Sequence, residues 1–267
     1  MKSAQNIGLK DVQQVYSGPE GQLWELIMGE QIHIGGFASS MDLADKARIG
    51  KGLSGVDLCC CNGAGMRFLV RYRQVAAMHG VDATDAVVAD GKARCRKLGL
   101  DKQIEFTLSD VCKTPLPGGQ ADFVWGEDAW CYVQDKPALI AEAARLIKKG
   151  GTIAFTDWIE APGMSAPEAE RYLNFMKFPN IVTVDEYVAM LRKNGCEVEL
   201  ARNTGRFAPF VDLYINMLNM QLTGDALRIL GGDAQMLGML AGEFEFVRQL
   251  AHAGKVDQAI FVARKAN

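Results

Sequence analysis

The chain has 267 residues, 49% of them hydrophobic and 23% charged, which suits one α/β domain with elaborations around a substantial core. A net charge of −3 and a sequence pI of about 5.7 leave no basic field for a phosphate backbone and argue against nucleic acid as a partner. The first ten residues are polar and no apolar run approaches the roughly 20 residues of a membrane helix. Seven cysteines, an odd number with three adjacent, point to a reducing cytoplasm rather than a disulfide framework.

In chain order, Tyr16-Ser17-Gly18-Pro19-Glu20-Gly21 reads as a turn-rich loop. Leu23 to Met28 reads as a short amphipathic helix carrying Trp24, Gln31 to Phe37 as an extended run ending in glycines, and Asp42 to Gly50 as a helix entering the sheet. Residues 1–50 are therefore expected to cover a ligand pocket, with Tyr16 and His33 either facing it or packing the segment down. The first core strand, Val56 to Leu58, runs into the small-residue turn Cys59-Cys60-Cys61-Asn62-Gly63-Ala64-Gly65 and then a helix. A strand, tight turn and helix bring backbone N–H groups close to a ligand. The turn is not a dinucleotide fingerprint, because Phe68 occupies the position of its third glycine. Adjacent cysteines on a strand point to opposite faces and lack zinc spacing, so no metal site is expected.

Gln74 to Asp82 reads as the second strand, and a carboxylate at its end can accept both ribose hydroxyls of a nucleotide laid across the sheet edge, with Ala83 beside it. Ile104 to Leu108 is the third strand; after it Asp110 could take an adenine amino group while the Val111 N–H faces a ring nitrogen. Ala121 to Trp125 is the fourth strand and ends in Glu127, Asp128, Trp130 and Tyr132, two carboxylates and two aromatics where an open α/β sheet places its crevice. Lys136 to Lys148 reads as a helix, Thr152 to Trp158 as the fifth strand, Cys196 to Ala201 as the sixth and Gln258 to Arg264 as the last. The helical stretch Thr204 to Lys255 before that last strand is an insertion, whose methionine-rich surface serves either ordinary packing or a substrate lid. The division expected is thus 1–50 cover, 51–203 core, 204–257 helical insertion and 258–267 last strand.

Asp57, Cys59, Cys61 and Gly63 match the acidic-x-G-x-G-x-G first motif of class I S-adenosylmethionine (SAM) methyltransferases, with cysteine at the first two glycine positions. Together with Gly80-Val81-Asp82, Ser109-Asp110-Val111, Phe123 to Ala129, Leu146 to Gly151 and Phe155 to Trp158, the chain resembles that superfamily over nearly its whole length. Within it the resemblance is greatest to the sarcosine/dimethylglycine and phosphoethanolamine N-methyltransferases. It implies a doubly wound, mostly parallel seven-stranded sheet and SAM as cofactor. The cofactor-binding residues would be Asp57, Cys59, Cys61, Gly63, Asp82, Ala83, Asp110, Val111 and Glu127, and the catalytic ones Tyr16, His33, Asp128 and Tyr132. Two departures stand out: Cys61 replaces a glycine, which implies a wider or differently angled turn, and Tyr132 stands where amine-methylating relatives often carry histidine. The expected activity is in-line methyl transfer to a small-molecule nucleophile, an amine nitrogen before all. C- or O-methylation of an apolar quinone, lipid or polyketide is the alternative. No membrane partner is expected, and the chain is compatible with a monomer or a homo-oligomer.

Overall fold

The computed structural model describes residues 1–4 and 6–266; Gln5, in the polar N-terminal stretch, and Asn267, the end of the expected 258–267 segment, lie outside the described residues. The chain begins with a two-residue strand β1 (Lys2–Ser3), then α1 (Leu9–Ser17), α2 (Pro19–Met28) and α3 (Gly36–Lys46). The core follows as β2 (Ser54–Leu58), α4 (Ala64–Arg73), β3 (Ala77–Asp82), α5 (Asp85–Lys97), β4 (Ile104–Leu108) and β5 (Ala121–Glu127). After a single 3₁₀ turn (Trp130–Tyr132) come α6 (Lys136–Leu146), β6 (Ile147–Glu160), α7 (Ala166–Met176), β7 (Asn180–Ile181), α8 (Val184–Lys193) and β8 (Cys196–Asn203). The inserted helices are α9 (Phe207–Met220), α10 (Thr223–Ile229) and α11 (Ala234–His252), and β9 (Val256–Lys265) closes the sheet.

Seven strands form one sheet in the order β4-β3-β2-β5-β6-β9-β8. β4, β3, β2, β5 and β6 are mutually parallel, and β9 runs antiparallel between β6 and β8. The order reverses direction at β2, so a crevice opens beyond the carboxyl ends of β2 and β5. Helices cover both faces. Leu139, Ile140 and Ala143 of α6 and Tyr187 and Leu191 of α8 pack on one; Leu43 and Ala44 of α3 and Met66, Phe68 and Leu69 of α4 pack on the other. Strands buried on both faces explain why Phe123–Trp125 and Ile153–Phe155 are continuous apolar runs, while β2 holds the buried carboxylate of Asp57 between Val56 and Leu58. A third apolar cluster lies beyond the sheet end, where β6, α7, α9 and α11 meet around Trp158, Tyr172 and Phe178.

The N-terminal segment corrects the sequence reading. Tyr16–Gly21 is not a loop: Gly18 ends α1 and immediately caps α2, with Pro19 in the first turn of α2 where its missing N–H costs nothing. Gln31–Phe37 is not extended either, because Gly35 at φ 85° turns the chain straight into α3. β1, which pairs antiparallel with β7, was not expected at all. Among the described residues, no helix is long and apolar enough to cross a membrane.

Candidate active site

The cofactor turn departs from the usual preference for glycine in its backbone. Between β2 and α4, Cys59 sits at φ 64°, Cys61 at φ 47° and Gly63 at φ 79°. A side chain in the left-handed region costs about 1–2 kcal/mol, so the two cysteines stand where glycine would relieve strain. The turn is tied to β3 through its backbone: the N–H groups of Cys59 and Cys60 donate to Val81 O at 2.9 and 3.2 Å. The Cys61 N–H donates to Asp82 Oδ2 at 2.9 Å. Burial, with Asp82 adding to it, pushes the Cys61 thiol up to about 12, so it stays protonated at neutral pH and is no nucleophile. Cys61→Gly is expected to hold or raise stability, by up to about 1 kcal/mol, and to leave SAM affinity unchanged. Thermal unfolding and calorimetry check this; a folded variant without SAM affinity would make the thiol itself a ligand contact.

A cavity of about 380 Å³ opens at the carboxyl ends of β2, β3 and β5. Twelve of the sequence candidates line it: Tyr16, His33, Asp57, Cys59, Cys61, Asp82, Ala83, Asp110, Val111, Glu127, Asp128 and Tyr132. Gly63 does not line it; its role is to clear Phe106, whose ring would lie 2.5 Å from an added Cβ. The wall also includes residues that sequence reading passed over, among them Leu9 and Val12 of α1, Asn62 and Thr84. Gln13 of α1 donates to Ala83 O at 2.7 Å and so ties the cover segment across this end of the cleft. No residue from 204 to 257 lines this cavity.

Carboxylates dominate one end. Asp82 at the tip of β3 accepts from Thr84 N through Oδ1 at 2.9 Å and from Cys61 N through Oδ2, which leaves lone pairs on both oxygens. Asp110 spends Oδ1 on Cys112 N at 2.8 Å and is otherwise exposed beside buried Val111. Asp57 and Glu127 converge over Gly65, where an added Cβ would stand 3.4 Å from Asp57 Oδ2 and 3.1 Å from Glu127 Oε2. The Glu127 side chain is 6% exposed. Its Oε2 accepts from Trp125 Nε1 at 3.0 Å. Its Oε1 lies 3.3 Å from His33 Nε2 without hydrogen-bond geometry and has no other partner. Burial raises the pKa of Asp57, Asp82 and Glu127, and the charges of Glu127 and Asp82 raise that of Asp57 further.

At the other end the Tyr16 and Tyr132 hydroxyls meet at 3.0 Å, with ring centroids 5.4 Å apart and edge to face. Burial lifts both phenols well above their usual range, so they are neutral hydrogen-bonding groups rather than phenolate bases. His33 is buried, with Nε2 3.1 Å from Ser40 Oγ. Asp128, at φ 50°, accepts from Ile34 N at 2.8 Å and from Gln258 Nε2 at 2.8 and 3.0 Å. Its carboxylate thus clamps the loop carrying His33 to β9, a positioning task. Trp130, named among the candidate site aromatics, belongs to the core. It stacks on Phe155 at 4.1 Å and donates from Nε1 to Leu58 O at 3.1 Å.

Beneath Tyr132 lies a clamp that no motif announces. Lys136, fully buried, donates to Val133 O at 3.1 Å and Asn180 O at 3.2 Å, and also to Asn180 Oδ1. Asp157 Oδ1 accepts from Cys131 N at 3.0 Å and its Oδ2 from the Tyr187 hydroxyl. Burial pushes Asp157 up to about 6 against the opposing charge of Lys136. One sequence signal existed: a lysine in the first turn of a helix opposes the helix dipole and needs a reason to be there.

The seven-stranded topology, the left-handed turn after β2 and the carboxylate at the tip of β3 define the class I methyltransferase fold. Residues 56–155 match the family model described as a methyltransferase domain. The chain is 28% identical over 207 residues to the dimethylglycine N-methyltransferase of Parasynechococcus marenigrum (strain WH8102), covering 72% of this chain and 70% of that one. It is 27% identical over 201 residues to the 27-O-demethylrifamycin SV methyltransferase of Amycolatopsis mediterranei (strain S699), covering 70% and 72%. Its fold matches phosphoethanolamine N-methyltransferase 2 of Haemonchus contortus, solved with phosphomonomethylethanolamine and S-adenosylhomocysteine, with a TM-score of 0.85 at 17% identity. That match covers 96% of this chain and 59% of the other. The protein is a SAM-dependent methyltransferase acting on a small molecule, and it resembles the dimethylglycine and phosphoethanolamine N-methyltransferases.

The donor set fits SAM. Two buried acids, one with an orphaned oxygen, and no lysine or arginine among the described lining residues suit a ligand that is cationic at its amino group and its sulfonium.

Proposed function

We propose that the protein methylates an amine nitrogen of a small molecule. In this reading Asp82 holds the ribose hydroxyls, Asp110 and the Val111 N–H the adenine, and Asp57 with Glu127 the amino group of the cofactor. The cofactor supplies an electrophilic methyl on a good leaving group, so the protein's share is alignment, desolvation and charge stabilisation. The single observation that carries the choice of nitrogen is the character of the acceptor end. Neutral Tyr16 and Tyr132 face it, seven carboxylate residues line the cleft, and among the described residues no lysine or arginine does. An amine becomes cationic as it is alkylated, which such walls stabilise, whereas they oppose a phenolate or enolate nucleophile. Tyr16 and Tyr132 orient the amine by accepting from its N–H groups and by facing their ring and hydroxyl dipoles to the charge that develops on nitrogen, which leaves the lone pair free to attack the methyl, and His33 beside Glu127 can take up a proton from an incoming ammonium. The same His33–Glu127 approach of 3.3 Å supports a second reading, O-methylation of an alcohol whose proton His33 removes. Incubating the protein with methyl-labelled SAM and a crude metabolite extract tests the choice. Label in basic, cation-exchange-retained products supports nitrogen; label confined to neutral products supports oxygen or carbon.

The acid cluster also sets a pH dependence. Asp57, Asp82 and Glu127 have folded-state pKa values raised above the unfolded ones. Their contribution is therefore most favourable below the ordinary carboxylate range and is lost as pH rises through the raised values. A cationic ligand offsets that loss. The melting-temperature gain from saturating SAM is expected to be larger at pH 8 than at pH 5. An equal or smaller gain at pH 8 would mean that these carboxyls do not face the cofactor's charges.

A further inference from the structure

His33 and Asp128 both line the cleft, and one side chain from outside it joins the segments that carry them. Gln258, on β9, is fully buried and does not line the cavity. Its Nε2 donates to Ile34 O at 3.2 Å and to the two carboxylate oxygens of Asp128 at 3.0 and 2.8 Å. Its Oε1 accepts from the Thr204 hydroxyl at 3.0 Å. Thr204 Oγ1 itself accepts from Arg206 N at 3.1 Å, which leaves the hydroxyl hydrogen free for Gln258. These partners fix which way the amide points, because turned over its oxygen would face three acceptor oxygens. One Nε2 hydrogen therefore goes to Ile34 O, and the other is shared between the oxygens of Asp128.

The Ile34 carbonyl held in this way also faces His33 Nδ1, at 3.4 Å. A carbonyl only accepts, so Nδ1 carries the hydrogen of the neutral ring and Nε2 keeps the lone pair. Nε2 lies 3.1 Å from Ser40 Oγ and 3.3 Å from Glu127 Oε1, so a proton taken there comes to rest beside a carboxylate. Asp128 accepts from Ile34 N at 2.8 Å as well, so the donors that hold it are neutral amides. Its negative charge stays available to a cation forming in the cleft. We infer that Gln258 is a positioning residue for methyl transfer. Through Ile34 O it sets the His33 ring to receive the acceptor's proton at Nε2, and it holds the Asp128 carboxylate beside that ring. This deepens the amine-methylation reading and rests on it.

Three variants test this. Gln258→Leu keeps the bulk and removes both donors, Gln258→Glu keeps the shape without them, and Thr204→Val removes the hydroxyl that orients the amide. Each is compared with wild type by thermal unfolding, by calorimetric SAM affinity and by label transfer from SAM into the basic products of a metabolite extract, over a dilution series. Nitrogen-15 correlation spectra at pH 8 add the tautomer of each histidine ring. The chain has three histidines, and only His33 is buried. Wild-type His33 should carry its hydrogen on Nδ1. Both Gln258 variants should lose about tenfold or more of the maximal transfer rate, with SAM affinity held within about twofold. Their His33 resonances should move toward a mixture of tautomers while those of His79 and His252 stay in place. Thr204→Val should show the same pattern with a smaller loss of rate, about two- to fivefold. Wild-type His33 with its hydrogen on Nε2 overturns the inference, as does a folded Gln258 variant that keeps its transfer rate or its His33 spectrum. A loss of SAM affinity equal to the loss of rate overturns it too, because Gln258 would then serve the fold as a whole. If neither Gln258 variant folds, Thr204→Val and the wild-type tautomer decide. A wild-type chain that puts no label into basic products removes the amine reading, and the tautomer comparison then still decides whether Gln258 sets His33.

Discussion

Asp82→Ala is expected to weaken SAM binding by about 10- to 150-fold, because hydrogen bonds to a charged acceptor are worth about 1.5–3 kcal/mol. Asp82 closes β3, the strand next to the switch point of the sheet, and each of its oxygens already accepts one backbone N–H, from Thr84 and Cys61. The substitution therefore removes the acceptors proposed for the ribose and loosens the strained turn at Cys61 as well. Asp82→Asn separates the two effects. It keeps one acceptor for the turn but presents an amide donor where the second oxygen was, so its loss should be intermediate. Calorimetry on both variants, with thermal unfolding as the control for folding, gives the comparison. Unchanged affinity in folded Asp82→Ala would remove the ribose assignment and with it the proposed orientation of the cofactor.

Lys136→Met should be the more damaging change to the fold. The lysine is wholly buried and its ammonium is the donor to Val133 O and to both oxygens of Asn180, joining the turn after β5 to β7. Methionine fills the volume but leaves those acceptors and the Asp157 carboxylate without a cation. Breaking a buried charged cluster in this way costs about 3–5 kcal/mol, or a fall in melting temperature of roughly 6–20 °C for a chain of this size. Because the same turn carries Tyr132, the variant at permissive temperature should show a raised acceptor KM with SAM affinity little changed. A fall in melting temperature of less than a degree or two would mean that the clamp is not what holds the turn.

These two residues show how unevenly the site could be read from sequence. Asp82 was legible because it ends the strand read over 74–82, and a residue at the carboxyl end of a parallel strand faces the crevice. Strand ends likewise pointed to Asp110 and Glu127, whereas Asp57, inside β2, was found by its place in the first methyltransferase motif. Lys136 follows Asp135, a good N-cap, and its one local signal is that it opposes the helix dipole from the first turn; its burial depends on Asn180, 44 positions away. Asp128 looked catalytic by its neighbours, but its partners Ile34 and Gln258 lie 94 and 130 positions away. The cover segment misled for a local reason. Ser17-Gly18-Pro19 carries every signal of a turn, yet here one glycine serves as the end of α1 and the start of α2. Residues 31–35 looked extended because Ile32 and Ile34 are β-branched, while Gly35 decides the backbone. β1 exists only through its two-residue register with β7 and had no pattern of its own.

The central claim is that this cleft moves a methyl group from SAM to an amine nitrogen. The most direct measurement is transfer of a carbon-13 methyl from labelled SAM into a crude metabolite extract, followed by carbon NMR and by release of S-adenosylhomocysteine. The account predicts an N-methyl resonance that accumulates one for one with S-adenosylhomocysteine and is lost in Tyr16→Phe/Tyr132→Phe. Label appearing on oxygen or carbon of the products, with none on an amine, would contradict it.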